Sequence, residues 1–207
     1  MESLDQLLKP FTAGTLSGKQ LDQLQTYLDL LLKWNAKISL TAIRRPEDIV
    51  QRHFGESLFA GEQLQLSHSS STLIDFGSGA GFPGMPIKIF APYLQVTLIE
   101  AQQKKAAFLR EVIRALELKN VSICAGRAED SQLKGEIVTM RAVEKFEAAL
   151  PAALGLLSNR GRLALLVGSG QAEAARNVLS NLTWQPPIRV PRSRQSVLLI
   201  GQAAPVS

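Results

Sequence analysis

The stretch LIDFGSGAGFPGMPI, Leu73 to Ile87, places four glycines and two prolines directly behind a short apolar run. TLIDF (72–76) predicts a strand, and the residues from Gly81 onward can begin a helix. Gly77, Gly79 and Gly81 allow backbone angles closed to other residues and let a ligand approach main-chain N–H groups where the helix begins. The turn is therefore predicted to bind a ligand at the carboxyl edge of a sheet, which is the ligand-binding edge of doubly wound folds.

The chain after residue 66 alternates between short apolar runs and helical stretches. Five further runs predict strands: QVTLIE, VSICA, EIVTM, RLALLVG and SVLLIG. Helices are predicted at Gly81–Phe90, Gln103–Leu118, Glu144–Leu157 and Ala172–Leu182. This alternation predicts an α/β fold of the Rossmann-like kind, with a mainly parallel sheet and helices on both of its faces.

The first 66 residues have a different pattern, which is typical of a helical extension. Apolar residues recur at three- and four-residue steps from Gln20 to Lys33, and a second such segment runs from Pro46 to Gln63. Pro46 suits a first helical turn because its missing N–H costs nothing there. We therefore predict a helical N-terminal extension at 1–66 and a core at 67–207, which together form one compact unit.

Composition and charge exclude several classes of protein. The 207 residues are 45% hydrophobic, and their apolar runs fall far short of the roughly 20 residues that cross a bilayer. The first residues, MESLDQLLKPF, carry acids where a secretory signal has positive charge, so we expect a cytoplasmic protein. A single cysteine, Cys124, argues against an internal disulfide and against a metal site. The net charge of +5 permits a polyanionic partner without requiring one.

An acid at the end of the second predicted strand narrows the choice of ligand. Glu100 follows Gln95–Ile99 and stands 23 positions after Gly77, close to the spacing of a carboxylate that accepts hydrogen bonds from ribose hydroxyls. The loop has the form GxGxG followed by Phe82, which departs from the GxGxxG of dinucleotide enzymes. It favours S-adenosyl-L-methionine over NAD. A glycine-rich turn without a ligand remains an alternative.

The residues after the fourth predicted strand limit the chemistry of a methyl acceptor. RAVEKF (141–146) lacks the combination of an acid or amide with two adjacent prolines that enzymes use for exocyclic amines of bases. Methylation at a pyrimidine carbon needs a nucleophilic cysteine, whereas Cys124 lies within a strand and is interpreted as a small core residue. Guanine N7 presents an in-plane lone pair and needs proximity rather than a general base. Arg141 is the candidate catalytic residue, since its fork suits a guanine edge or a phosphate. Its alternative role is that of a helix cap or a surface ion pair.

Longer motifs make the chain resemble one known family nearly from end to end. They are LLKWNAKISLTAIRRPEDIVQRHFGESL (31–58), IDFGSGAGFPGMPI (74–87), LIEAQQKKAAFLREV (98–112), GRAED (126–130) and TMRAV (139–143). The chain is similar in these motifs to the ribosomal RNA small-subunit methyltransferase G family, also called glucose-inhibited division protein B. The resemblance implies a class I S-adenosylmethionine-dependent methyltransferase that modifies N7 of one guanine in the decoding-region hairpin of 16S rRNA.

The resemblance also implies roles for individual residues. Glu100 would bind the ribose, Ala128 and Glu129 would surround the adenine, and Arg141 would contact the methionine end of the cofactor or the reacting site. The remaining cofactor-binding residues would be Gly77, Ser78, Gly79, Gly81, Phe82 and Ala101. The implied partner is 16S rRNA or the small ribosomal subunit, and we expect a monomer without a metal.

Three positions depart from the family pattern. Ser39 stands where members generally have Asn, Glu56 where they have Asp, and Val167 where they have Lys before a glycine. The resemblance implies an RNA or cofactor contact by that lysine after the fifth strand, which Val167 would not make. Candidates to compensate for it are Ser169, Arg160 and Arg162.

Two conspicuous side chains have structural as well as functional interpretations. We expect His53 to be hydrogen-bonded between the extension and the sheet rather than to contact RNA. We expect Trp34 to be a packing anchor rather than a platform for a base.

Two other functions stay open for the protein. One is an NAD-dependent oxidoreductase, although no His, Tyr or Cys follows Arg141. The other is a cofactor- or RNA-binding module without catalysis.

Overall fold

The computed structural model describes residues 2–66, 71–126 and 132–204. A turn of 3-10 helix, Lys9–Phe11, follows the first helix, and a π-helical turn, Val50–Gly55, joins the third helix to the fourth. The helices in the described ranges are α1 (Leu4–Leu8), α2 (Gly18–Asn35), α3 (Pro46–Ile49), α4 (Glu56–Gln63), α5 (Gly84–Phe90), α6 (Gln103–Ala115), α7 (Phe146–Gly155) and α8 (Ser169–Val178).

The strands of the described residues form one sheet in the order β3-β2-β1-β4-β5-β8-β6, and β7 pairs with β8. The first five strands are parallel, and β8 is antiparallel to its neighbours. The predicted α/β fold with a mainly parallel sheet is therefore confirmed. The strands are β1 (Thr72–Phe76), β2 (Gln95–Ile99), β3 (Val121–Cys124), β4 (Gly135–Arg141), β5 (Leu157–Gly168), β6 (Leu182–Trp184), β7 (Ile188–Arg189) and β8 (Ser196–Ala203).

Both faces of the sheet are covered, which explains why its strands are continuous apolar runs. In β5, Leu163 and Leu165 pack in a cluster with α7 and α8, while Ala164 and Leu166 belong to the cluster that contains α5 and α6. Cys124 is partly buried at the end of β3 against the first of these clusters. Helices thus lie on both faces, as predicted.

The N-terminal helices share a hydrophobic cluster with the sheet face that α5 and α6 cover. The Tyr27 ring lies 5.1 Å from that of Phe54 and 5.5 Å from that of Phe82, between ring centroids. Trp34 packs on Phe108 and donates from Nε1 to Glu111 Oε2 at 3.0 Å, which confirms its role as a packing anchor. Residues on both sides of position 66 thus share one core, and the division into 1–66 and 67–207 stays a prediction.

All four helices predicted in the core have different bounds in the structure, and two of these differences affect neighbouring elements. The helix after the glycine loop (residues 77–83) begins at Gly84 rather than Gly81, because residues 79–83 form turns and Gly81 has φ +94°. The last predicted helix ends at Val178, and Leu182 begins the short strand β6. β6 forms because it pairs with β8, and a local sequence pattern contains no information about a distant strand partner.

Across residues 2–66, 71–126 and 132–204, no helix combines the length and the apolar character that crossing a membrane requires.

Candidate functional site

A cavity of about 510 Å³ lies at the carboxyl edge of the sheet, where β1, β2 and β4 end. Such a volume is typical of small-molecule sites. The N-terminal extension supplies part of its wall, through the segment 40–42 and His53. From the core, its lining consists of Gly77, Ser78, Gly79, Ala80, Phe82, Glu100, Ala101, Gln102, Lys105, Arg141, Ala142, Val143 and Glu144.

The glycine loop is shaped by packing on one side and is open on the other. A Cβ at Gly81 would meet the Tyr27 hydroxyl and would lie 2.8 Å from Met85 Cγ, so a side chain is excluded there. At Gly79, with φ +58°, the nearest atom would be 3.9 Å away. The Tyr27 hydroxyl also donates to the carbonyl of Ala80. The extension thus holds the loop from below, while Gly79 leaves room for a ligand.

Glu100 fixes the loop from the neighbouring strand. Its side chain is buried, and it accepts hydrogen bonds from the backbone N–H of Gly79 at 2.8 Å (Oε2) and of Gln102 at 2.7 Å (Oε1). A carboxylate has about four lone-pair positions, so it can accept two further hydrogen bonds. The two hydrogen bonds fix the carboxylate in the wall of the cavity.

Asp75, which the sequence analysis did not single out, secures the start of α5. Its side chain is fully buried in β1 and accepts from Thr139 Oγ1 at 2.8 Å and from the Gly84 N–H at 3.2 Å. Burial raises the pKa of Asp75 from 3.8 to about 6, although these hydrogen bonds lower it and so oppose the shift. An acid within the apolar run TLIDF was the signal that could have revealed it, because a buried carboxylate needs specific partners.

Arg141 ends β4 and joins the core to the extension. Its Nη2 donates to Glu56 Oε2 at 2.9 Å and to the Arg52 carbonyl at 2.6 Å, and its Nη1 donates to His53 Nδ1 at 3.0 Å. Only 12% of the Arg141 side chain and 5% of the Glu56 side chain are exposed. Guanidinium has five N–H donors, and Nε and the second Nη1 hydrogen make no hydrogen bond within residues 2–66, 71–126 and 132–204. Arg141 does form an ion pair, but the pair is buried and is not the surface pair foreseen as the alternative. Ligand contact by Arg141 stays a prediction.

The π-helical turn creates the acceptor that Arg141 uses. In an α-helix the Glu56 N–H would bond to the carbonyl four residues earlier, which is that of Arg52. Here it bonds to Gln51, five residues earlier, and to His53. The Arg52 carbonyl is therefore free to accept from Arg141. Turns of this kind occur often at functional sites.

His53 is hydrogen-bonded on both ring nitrogens, as expected for a residue between the extension and the sheet. Arginine can only donate, so Nδ1 is the acceptor and Nε2 carries the proton toward Thr41 Oγ1, 2.7 Å away. The ring stacks on Phe82 with 4.7 Å between centroids. Burial, followed by the charges of Arg141 and Arg52, lowers the pKa of His53 from 6.5 to about 3. His53 is therefore neutral, and Nδ1, the nitrogen that could take up a proton, already accepts from Arg141.

We expect the ring signals of His53 in NMR spectra, assigned with a His53→Gln variant, to stay unchanged from about pH 8 to pH 5. Because its folded pKa lies below the unfolded value, the unfolded chain alone takes up this proton as the pH falls from 6.5 toward 3. The contribution to stability is complete above about 6.5 and is lost on acidification. A midpoint near the ordinary histidine value would contradict the hydrogen-bond arrangement.

The cavity brings together most of the residues that the sequence analysis assigned to the cofactor. Gly77, Ser78, Gly79, Phe82, Glu100, Ala101 and Arg141 line it, and Gly81 lies behind the loop. Ala128 and Glu129 fall outside the described residues. Sequence reasoning did not assign nine further lining residues to the site, namely Leu40, Thr41, Ala42, Ala80, Gln102, Lys105, Ala142, Val143 and Glu144.

The structure is inconsistent with Arg160 or Arg162 as a replacement for a lysine at position 167. Val167 is buried at the carboxyl end of β5, beside the cavity edge. Arg162 pairs with Ile137 near the opposite end of the strands and donates to the Leu64 carbonyl at 3.2 Å. Arg160 precedes it. Because a strand rises about 3.3 Å per residue, the backbone of each arginine lies farther from the cavity edge than an arginine side chain can reach.

Within the described residues, no group of three or more His, Cys, Asp or Glu side chains is arranged to hold a metal ion.

Comparison with known families and sequences gives consistent matches. The sequence model of a family described as rRNA small subunit methyltransferase G matches residues 20–185. A protein of that name from Chloroflexus aggregans is 39% identical over 204 residues, which cover 92% of this chain and 85% of that protein. Its namesake from Leuconostoc citreum is 45% identical over 145 residues, which cover 70% of this chain but only 59% of that protein.

Solved structures with low sequence identity have the same fold. M. jannaschii TYW2 in complex with AdoMet has a TM-score of 0.61 at 17% identity, over 83% of this chain and 80% of that one. A SAM dependent methyltransferase from Aquifex aeolicus has a TM-score of 0.60 at 15% identity, over 77% and 94% of the two chains. These matches support a class I Rossmann-like fold.

Proposed function

We propose a function on the premise that this chain belongs to the rRNA small subunit methyltransferase G family, as the match over residues 20–185 establishes. The chain is proposed to transfer a methyl group from S-adenosyl-L-methionine to N7 of one guanine in the decoding-region hairpin of 16S rRNA. The observation that carries the proposal is the glycine loop held by Glu100 beneath a cavity at the carboxyl edge of the sheet.

The residues present fit S-adenosyl-L-methionine. Gly79 leaves space above the loop, and the oriented Glu100 carboxylate has lone pairs for a ribose diol. Ala101 and Gln102 continue the wall beyond Glu100, on the side where an adenine would lie. Ala128 and Glu129 are proposed to complete that side, and Ser78, Gly81 and Phe82 are proposed to hold the loop and the methionine end.

When bound, the cofactor supplies an electrophilic methyl group on a sulfonium. Guanine N7 has a lone pair in the ring plane and no proton, so the protein needs to hold the two reactants in line rather than remove a proton. In agreement with this, the histidine that lines the cavity, His53, is neutral, and both of its ring nitrogens are engaged in hydrogen bonds. Proximity and orientation are therefore the proposed source of catalysis.

Arg141 is proposed to act at the reacting site in two ways. Its Nε and remaining Nη1 hydrogen can bind a guanine edge or the methionine carboxylate. Its other donors connect Glu56, Arg52 and His53, so the same group holds the wall of the cavity in place. A residue that both binds the ligand and fixes the wall would couple the extension to the core.

Glu100→Ala is expected to weaken S-adenosyl-L-methionine binding by about 1–3 kcal/mol, because two ribose donors and two loop amides lose their acceptor. Isothermal titration calorimetry measures this directly. The exposed Glu173 on α8 offers a matched control, since Glu173→Ala removes the same charge away from the cavity. An unchanged dissociation constant for Glu100→Ala would remove this residue from the cofactor site.

Transfer of labelled methyl groups to 16S rRNA lacking this modification tests the activity itself. Naked rRNA and 30S particles should be compared, because either can be the partner in the proposal. Label that enters one of them only in the presence of the protein would support it. Cofactor binding without transfer to either substrate would favour a non-catalytic module. A monomer acting in the cytoplasm is part of the same proposal.

A further inference from the structure

A second cavity, of about 560 Å³, lies beside the first and is lined largely by arginines and polar groups. Arg52 comes from the π-helical turn, Arg192 and Arg194 come from the segment before β8, and Gly168 ends β5. We propose that this arginine cleft binds the sugar-phosphate backbone of the rRNA next to the target nucleotide. The proposal rests on the proposed function for the identity of the polyanion.

The three arginines have positive charges that the protein leaves unbalanced. All three are exposed, and none takes part in the ion pairs found among the described residues. Glu56 is the carboxylate in the lining, and its Oε2 is already bonded to Arg141 at 2.9 Å. Its Oε1 accepts from Ser196 Oγ at 3.4 Å. An exposed arginine fork without a carboxylate partner suits phosphate oxygens.

The turn that carries Arg192 and Arg194 is held by hydrogen bonds. The Val190 N–H bonds to the Ser196 carbonyl at 3.1 Å, and Ser193 Oγ accepts from the Ser196 N–H at 2.9 Å. Arg192 itself has φ +56°, in the left-handed region that costs free energy for a residue other than glycine. The hydrogen bonds hold both arginines in a defined place at the rim of the cleft.

The arginine cleft and the cofactor cavity share a wall. Arg141 lines the cofactor cavity and Glu56 lines the cleft, so their ion pair stands between the two spaces. Arg52 contributes its carbonyl to that wall and its side chain to the cleft. A target nucleotide that meets the cofactor at Arg141 would therefore have its neighbouring phosphates beside the cleft. Phosphate contacts of this kind set register without reading sequence.

The test compares Arg192→Gln/Arg194→Gln, and each single change, with Arg160→Gln. Arg160 is a matched control because it is exposed, has φ +58° and lies toward the opposite edge of the sheet. Dissociation constants for 16S rRNA are measured from about 50 to 200 mM salt, together with thermal unfolding and cofactor binding. We expect the double variant to bind about tenfold more weakly and its slope of log K against log salt to fall by about 1 per arginine. Cofactor binding and unfolding should not change.

Two results would contradict the proposal that the arginine cleft binds rRNA. One is a double variant with the wild-type dissociation constant and salt slope. The other is a loss of rRNA affinity in Arg160→Gln equal to that in each single cleft variant, which would indicate a general charge effect. Because RNA binding is measured apart from methyl transfer, the two proposals can fail separately. Wild-type protein that binds rRNA but transfers no methyl group would contradict the proposed function, while the comparison of variants would still decide the cleft.

Discussion

Arg141→Ala is expected to lower the free energy of unfolding by about 3–5 kcal/mol and to abolish methyl transfer. The substitution leaves the Glu56 carboxylate buried without the guanidinium that it accepts from, and burial already raises the pKa of Glu56. It also removes the donor to His53 Nδ1 and to the Arg52 carbonyl. Urea denaturation at neutral pH measures the loss of stability, and labelled methyl transfer measures the loss of activity.

The double variant Arg141→Met/Glu56→Gln separates the two effects. Because it leaves no buried charge unpaired, it is expected to regain most of the stability that Arg141→Ala loses. Methyl transfer should stay absent, since the proposed donors to the ligand are gone. Wild-type stability of Arg141→Ala would contradict the buried ion pair, and transfer by the double variant would contradict a ligand contact by Arg141.

Gly81→Ala is expected to be the most damaging single-methyl change in the glycine loop, at about 3 kcal/mol or more of unfolding free energy. Its Cβ would lie 2.8 Å from Met85 Cγ and 3.0 Å from Leu109 Cδ2, and would meet the Tyr27 hydroxyl, all at φ +94°. Tyr27 is fully buried and bonded to the Ala80 carbonyl, so it has little room to move. Thermal and urea unfolding measure the effect.

Gly79→Ala is the matched comparison within the same loop. Its backbone is also left-handed, at φ +58°, but no atom would lie within 3.9 Å of the added Cβ. We therefore expect a cost of about 1 kcal/mol in stability and a larger loss in cofactor affinity, since the methyl group enters the ligand space. Equal destabilisation by the two variants would show that packing beneath Gly81 does not shape the loop.

The fold and half of the site were predictable because their causes are local in the sequence. The apolar run before Gly77 and the acid after the second strand are tied to fixed places in a parallel sheet, so spacing alone assigned Glu100 to the same site as the glycine loop. The structure places it in hydrogen-bond contact with Gly79. The alternation of strands and helices likewise predicted which sheet edge holds the cavity. These signals depend on neighbours along the chain, which a sequence displays directly.

The rest depends on contacts between distant segments. Thr41 and His53 reach the cavity through the packing of the extension, and the bond from Arg141 to Arg52 spans 89 positions. The π-helical turn has the same apolar spacing as the helix around it, so the sequence pattern did not indicate that the Arg52 carbonyl would be free. Arg192 and Arg194 were visible as basic residues, but their place beside Glu56 follows from the pairing of β8 with β5.

The position of the methyl group on the base tests the account most directly. After transfer to 16S rRNA, reduction and aniline treatment cleave the chain at 7-methylguanine and leave other methylated bases intact. We predict one new cleavage, at a single guanine of the decoding-region hairpin, that depends on both the protein and S-adenosyl-L-methionine. Incorporated methyl without cleavage would place it on another atom and contradict a mechanism that relies on the N7 lone pair.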